Sequence, residues 1–372
     1  MSGDNAPGHL DDRRWTLIIP CAAPLLRGTL TRPKWLLTTP SGDLIIACAA
    51  ATVPRDRVER IIVAFLREAE ERYKCTEALK RAFDGDVECI VLDQETDGPA
   101  HTVYEVIGRA GVQGPVCIKD SDSFFSISQL PTSSFMAVAD IRAMPSVSAP
   151  GRKSYVRLNE QGMIVEVAEK NVTSNLVSVG LYGFDDAGLF CAGFERLVKV
   201  TDGRRLFVSH VVASTLANSH IFLPCFARDL VDIGTLADWN KYRASYPTVV
   251  LDIDGVVFRN QSEFFDPVWS TPPEPIEENV SHLLALQRRG AQLVFMTARP
   301  EAYRASTMAT LELLGLRIHA LVMGCNHSTR FLVNDYAQSN PYPSAVAINV
   351  RRNANELQNL LLPDLPTQDQ DL

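Results

Sequence analysis

Residues 248–257 read TVVLDIDGVV. An apolar, β-branched run of this kind is the pattern of a strand buried on both faces. It delivers two carboxylates, Asp252 and Asp254, to its carboxyl end, and Gly255 follows at once. Residues i and i+2 of a strand point to the same side, so the two aspartates converge on one site. Open α/β sheets bind their ligands at that end. Two carboxylates so close repel unless a cation lies between them, and Mg²⁺ favours such oxygen ligands. One carboxylate can then attack phosphorus while the other handles the leaving-group proton.

The residues around this stretch extend the pattern. A proline-rich loop, STPPEPIEE, leads to a helix, NVSHLLALQRRG, and a strand, AQLVFMTA, that ends in Thr297 with Arg299 close by. A second helix, EAYRASTMATLELLG, precedes the strands HALVMG and RFLVND, the last supplying Arg330 and, at its end, Asn334 and Asp335. Strands alternating with helices of this length give a parallel sheet. The set resembles the haloacid dehalogenase (HAD) phosphatase superfamily over roughly residues 246–353. The resemblance implies that Asp252 is the nucleophile that becomes an aspartyl-phosphate and Asp254 the general acid/base. Thr297 and Arg330 would hold the phosphate, and Asp335 would join Asp252 and Asp254 in holding Mg²⁺. Arginine at position 330 replaces the usual lysine, and Asn334-Asp335 replaces a pair of aspartates. The short gaps from Asp254 to Thr297 and from Thr297 to Arg330 leave no room for a separate cap domain, so an open, capless site is expected.

A chain of 372 residues is long for one domain. Upstream of residue 246 the pattern is again alternating. Trp15–Pro20 reads as a buried strand followed by a polar, basic loop, AAPLLRGTLTRPKW; then come a strand at 59–66, a charged helix at 67–82, a strand at 87–92, a helix at 99–109 and a strand at 115–119. Residues 134–184 change to short β-rich runs, read as an antiparallel extension folded over one side of the sheet. The expected organisation is a disordered N-terminus over 1–13, one domain over 14–243, a second over 246–363 and a disordered tail over 364–372, with the boundary between Tyr242 and Tyr246. Both domains are expected to be Rossmann-like three-layer α/β structures: a mixed sheet in the first, a capless parallel sheet in the second.

The first domain carries its own motifs. In LIIPCAAPLLRGTLTRPKWLL a strand is followed by a loop with Arg27, Pro33 and Lys34; TDGPAHTV contains Gly98; VCIKDSDSFF ends a strand in acidic residues, among them Asp122. VAEKN holds Glu169 and Lys170, VSVGLYGF holds Gly180 and Tyr182, and LVDIGTLADW holds Asp232. In this order they resemble the sugar-phosphate nucleotidyltransferases over about residues 14–243. The resemblance implies that Arg27 and Lys34 neutralise a nucleoside triphosphate and that Gly98 closes on its base. It further implies that Glu169 and Lys170 contact the sugar phosphate, that Gly180 belongs to the nucleotide- or substrate-binding set, and that Asp122 and Asp232 hold Mg²⁺. Ala23 and Leu25 stand where that family has loop glycines, and a Cβ there obstructs close approach of backbone to phosphate.

The two resemblances together imply a bifunctional enzyme of nucleotide-sugar or surface-polysaccharide (capsule) precursor synthesis. It would pair nucleotidyl transfer from an NTP to a sugar phosphate with Mg²⁺-dependent phosphomonoester hydrolysis. The alternative is a HAD phosphatase alone, its N-terminal domain a degenerate binding or regulatory module. A net charge of −8 argues against a basic face for nucleic acid or anionic membrane, and no apolar run approaches the roughly 20 residues of a membrane helix. The polar N-terminus is not a secretory signal, and the eight scattered cysteines form no CxxC pair, so reduced thiols and a cytoplasmic location are expected. The histidines lack HxH or HExxH spacing, and Trp269 reads as part of a flap. The partners expected are an NTP and a sugar phosphate; a homo-oligomer stays open.

Overall fold

A computed structural model describes residues 14–23, 32–143, 151, 153–201, 205–244, 246–260, 273–335 and 345–361. Arg27, Trp269 and the terminal segments expected to be disordered lie outside the described residues. The chain divides into two compact units, Met1–Asp238 and Trp239–Leu372.

The first unit is built on β1 (Trp15–Pro20), whose side chains alternate between two apolar layers. Trp15, Leu17 and Ile19 enter one cluster and Ile18 the other. The same alternation holds for β2 (Val58–Leu66), where Ile61, Val63 and Phe65 face one way and Ile62 and Ala64 the other. A sheet covered on both faces demands such continuous apolar strands. The remaining strands are β3 (Glu88–Leu92), β4 (Val116–Lys119), β5 (Ser123–Ile127), β6 (Phe135–Asp140), β7 (Ser154–Leu158), β8 (Ile164–Glu169), β9 (Leu176–Phe184) and β10 (Leu223–Asp232). Their order is β3-β2-β1-β4-β9-β6-β10-β5, with β7 paired to β9 and β8. Strands β1 to β4 are parallel, β9 runs antiparallel between β4 and β6, and β5 is antiparallel to β10.

Helices α1 (Ile45–Ala50), α2 (Arg67–Tyr73) and α3 (Cys75–Ala82) cover one face. Helices α4 (Pro99–Ala110), α5 (Ala187–Val200) and α6 (Val208–Leu216) cover the other. Two expectations are corrected. The helix expected over 67–82 breaks at Lys74, which takes φ 53°; the break buries Cys75 completely, and Glu70 caps the second piece through Thr76 N at 2.9 Å. The β-rich stretch 134–184 is no overlay: β6 and β9 are interior strands of the main sheet, and only β7 and β8 flank it.

Helix α7 (Leu236–Ala244) spans the division between the units. The second unit has three parallel strands in the order β11 (Thr248–Asp252), β12 (Gln292–Met296) and β13 (Ala320–Val322). Helices α8 (Glu277–Arg288) and α9 (Arg304–Leu313) send Leu283, Leu286 and Leu311 into one cluster with Val249, Leu251, Leu293 and Phe295; the short α10 (Leu357–Leu360) adds Leu357. Among the described residues this cluster lies on one face of the sheet, and Val250 on the other face is 47% exposed. The strand TVVLDIDGVVF ends at Asp252. The chain then turns back, Val257 N donating to Ile253 O at 2.9 Å and Gly255 N to Phe258 O at 2.7 Å. The strand expected at RFLVND does not form: residues 330–335 are exposed and carry no ladder, although Phe331, Leu332 and Val333 are apolar. Among the described residues no helix is long and apolar enough to cross a membrane.

Candidate active site

At the carboxyl end of β4 in the first unit, Lys119 is fully buried and spends its three donors on Asp120 O (2.8 Å), Ser123 O (2.7 Å) and Ser123 Oγ (2.9 Å). Ser123 Oγ donates in turn to Val179 O at 2.9 Å. These bonds draw residues 120–123 into a tight turn that presents Asp120 and Asp122. Burial lowers Lys119 to about 8 against the pull of its acidic neighbours. Burial, with Asp122 adding to it, raises Asp120 to about 6. Burial also pushes Asp122 upward, but Lys34, Lys119 and Lys153 outweigh it and hold this carboxyl below its ordinary value.

The turn lies against the end of β10. Asp232 is the ladder partner of Ser123, and Ile233 N donates to Asp122 O at 2.9 Å. The two expected metal ligands, far apart in sequence, are therefore neighbours. A Cβ added at Gly234 would stand 3.1 Å from Asp232 Oδ1 and 3.8 Å from Asp122 Oδ2, so both carboxylates border the space that this glycine leaves open. Each carries a lysine: Lys34 Nζ donates to Asp122 Oδ2 at 3.0 Å and to Gly234 O, and Lys153 Nζ pairs with Asp232 Oδ2.

A cavity of about 270 Å³ opens beside them, lined by Asp120, Asp122, Asp232, Lys153, Glu169 and Lys170 among others. Glu169, at the end of β8, accepts hydrogen bonds at Oε2 from Ser154 Oγ and from Ser209 Oγ (2.6 Å). Lys170 holds its ammonium 4.1 Å from the centre of the Phe207 ring, a cation–π contact. Gly180 takes φ 81° where the register of β6 against β9 shifts, and a Cβ there would stand 2.5 Å from Asp120 Oδ2. Glycine thus lets the strand pass behind the acidic turn. Gly98 caps α4 with φ 113°, and its open side packs on Leu206, whose carbonyl oxygen would stand 2.6 Å from a Cβ; the neighbouring Pro99 lines the cavity.

In the second unit Asp252 ends β11, and Asp254 lies two residues on, in the turn. Ile253 N (2.9 Å) and Arg330 Nη2 (3.3 Å) both donate to Asp252 Oδ1. Asp254 is held by Arg299, which is 2% exposed: Nη2 meets Oδ1 at 2.6 Å and Nε meets Oδ2 at 3.0 Å. Thr297 Oγ1 lies 3.5 Å from Asp254 Oδ2 and accepts from Arg299 N at 3.1 Å. Asp252, Asp254, Thr297 and Arg330 thus gather at the carboxyl end of the sheet, whereas Asp335 belongs to the exposed, ladder-free segment. The strand that was to deliver Asp335 is absent.

No protein-family model matches the sequence, and no curated protein matches it either. Solved structures do match in fold. A Bacillus anthracis protein assigned as a glucose-1-phosphate thymidylyltransferase, solved with sucrose, aligns with a TM-score of 0.50 at 15% identity, over 68% of this chain and 98% of its own. A nucleoside-diphosphate-sugar pyrophosphorylase from Vibrio cholerae RC9 aligns with a TM-score of 0.49 at 17% identity, over 61% of this chain and 98% of its own. The inositol-1-phosphate CTP transferase of T. maritima aligns with a TM-score of 0.49 at 15% identity, over 62% and 94%. By their names these three proteins are nucleotidyltransferases or a pyrophosphorylase. At these identities the likeness concerns the fold.

Among the described residues no three His, Cys, Asp or Glu side chains are grouped to hold a metal ion. The Asp122–Asp232 pair nonetheless offers hard oxygen donors on either side of an open space, a set that suits Mg²⁺ completed by phosphate and water oxygens. The second unit fits a cation less well, because the Arg299 guanidinium engages both oxygens of Asp254. Sequence reasoning missed Lys153, Ser154, Ser209 and Phe207, and named Arg299 without a role. A lysine before a strand and a serine in a helix carry no pattern of their own; the β7–β8 ladder, which sets Ser154 opposite Glu169, brings them to the site. All eight cysteines are free, and burial pushes the Cys117 thiol up and that of Cys225 to about 11, as for inert buried thiols.

Proposed function

We propose that the first unit transfers a nucleotidyl group from an NTP to a sugar phosphate, releasing pyrophosphate, as a step in making nucleotide-sugar precursors of surface polysaccharide. The observation that carries this reading is the meeting of Asp122 and Asp232 where β5 pairs with the end of β10, beside a cavity that also holds Glu169 and Lys170. Asp122 and Asp232 would hold Mg²⁺, which supplies charge neutralisation at the reacting phosphates. An oxygen of the acceptor phosphate attacks the α-phosphorus as the bond to the β-phosphate breaks and pyrophosphate leaves. Lys34 stands beside Asp122, where its charge can meet the phosphates of the donor. Glu169, its carboxylate oriented by Ser154 and Ser209, accepts from hydroxyls of the sugar. Lys170 and Gly180 border the same acceptor space, Arg27 serves the donor, and Gly98, through its Pro99 side, borders the base.

For the second unit we propose phosphomonoester hydrolysis through an aspartyl-phosphate on Asp252. Among the described residues both hydrogen bonds to Asp252 reach Oδ1, which leaves Oδ2 as the oxygen to attack. Thr297 and Arg330 flank it to receive phosphoryl oxygens. Asp254, held by the buried Arg299, is the general acid/base of this reading and serves the leaving-group oxygen.

The two readings are tested by incubating the full chain with Mg²⁺, each NTP in turn and a panel of sugar 1-phosphates while following pyrophosphate, and separately with a generic phosphomonoester while following phosphate. Pyrophosphate release with one pairing is expected; none with any pairing, together with no NTP binding by calorimetry, rejects the transferase reading. Asp252→Asn should abolish phosphate release, since an amide cannot form the acyl-phosphate; near wild-type turnover would remove Asp252 from that role.

A further inference from the structure

Lys153 immediately precedes β7, where its carbonyl accepts from Lys170 N at 3.0 Å and the next residue, Ser154, pairs with Glu169. Its side chain is 25% exposed and lines the cavity, and its ammonium sits on Asp232 Oδ2. The other oxygen of Asp232 accepts Gly234 N at 3.0 Å. A lysine therefore neutralises Asp232 from Oδ2, while Oδ1 borders the space that a divalent cation would share with Asp122 Oδ2. The two cations compete for one carboxylate, because like charges held so close together repel.

A lysine ammonium is a compact charge on a flexible stem, so losing Asp232 leaves it free to reorient within the same cavity. The groups nearest by connectivity are Lys170 and Glu169, on the acceptor side. An acceptor phosphate brings about two negative charges there, while Lys170 is 49% exposed at its side chain and already rests on the Phe207 ring. One such lysine is a poor match for a dianion.

Resting on the nucleotidyl-transfer reading, we infer that Lys153 is an exchangeable phosphate ligand. It sits on Asp232 while no cation is bound and moves to the phosphate of the acceptor once a cation holds Asp232. Acceptor binding is thereby linked to cation binding. Lys34 is paired with Asp122 in the same manner, but its stem leads back to the segment following Arg27, on the donor side.

The experiment uses the full chain, its Lys153→Met and Lys153→Arg variants, and two probes. Mn²⁺ binding without nucleotide is followed by electron paramagnetic resonance. Binding of inorganic phosphate and of pyrophosphate, at saturating Mn²⁺, is followed by calorimetry. Lys153→Met should bind Mn²⁺ about tenfold more tightly, because an internal competitor is gone, and inorganic phosphate about tenfold more weakly, the size of one charge-assisted contact. Pyrophosphate affinity should hold, and Lys153→Arg should keep phosphate binding near wild type. A residue that only supports the fold would not give opposite changes for the two probes. Unchanged or weaker Mn²⁺ binding in Lys153→Met overturns the inference, as does wild-type protein that binds no Mn²⁺. Undiminished phosphate affinity, or a loss confined to pyrophosphate, overturns the acceptor assignment. Should the opposite shifts appear while no NTP yields pyrophosphate, the exchange stands and the transferase reading fails. Pyrophosphate release without the shifts gives the reverse.

Discussion

Gly180 shows how little space the first site leaves at single positions. Its φ of 81° and the 2.5 Å approach of Asp120 Oδ2 to a built Cβ leave no place for a side chain. Gly180→Ala should cost about 1–3 kcal/mol of stability from the strained backbone, with displacement of the acidic turn added; an unchanged urea midpoint would contradict this. Lys34→Ala should lower nucleotidyl transfer at least about tenfold, the worth of one charge-assisted contact to phosphate, and transfer at the wild-type rate would exclude Lys34 from the site. Asp122, Asp232, Glu169 and Lys170 could be singled out from sequence only because the motifs that hold them resemble those of the sugar-phosphate nucleotidyltransferases. Lys153 could not: its significance is its distance to Asp232, a residue on a different strand.

Among the elements, the turn after β11 is fixed by a buried ion pair. Arg299 and Asp254 have side chains only 3% and 13% exposed. Removing the cation alone leaves a carboxylate without its partner, so Arg299→Met should destabilise the second unit by about 3–5 kcal/mol. Pairing that change with Asp254→Leu should recover much of the loss, because two apolar groups restore a consistent interior. A double variant no more stable than the single one would show that the pair does not govern this turn. Strands β1, β2, β4, β6 and β9 were legible as apolar runs of strand length. Strand β10 was not, since LPCFARDLVD mixes a proline and charges into a strand at which only the ladders to β5 and β6 decide the conformation. The segment RFLVND fails in the opposite sense. Its apolar core satisfies the pattern of a strand, yet among the described residues it has no ladder partner, and pattern alone does not supply one.

For the whole molecule, the apolar interior is partitioned as the chain is. Two large clusters sandwich the sheet of the first unit, and a smaller one backs the three strands of the second. Calorimetric unfolding should therefore resolve two transitions, the second unit melting first because it has the smaller core; a single two-state transition would contradict this. The central claim concerns the first unit, that Asp122 and Asp232 serve the transfer of a nucleotidyl group. It is tested most directly by ³¹P nuclear magnetic resonance of the full chain with Mg²⁺, an NTP and a sugar 1-phosphate, beside Asp232→Ala under the same conditions. The account predicts paired resonances of a new phosphoanhydride, together with pyrophosphate, in the wild type and neither in the variant. Product formation at equal rates in both would contradict it.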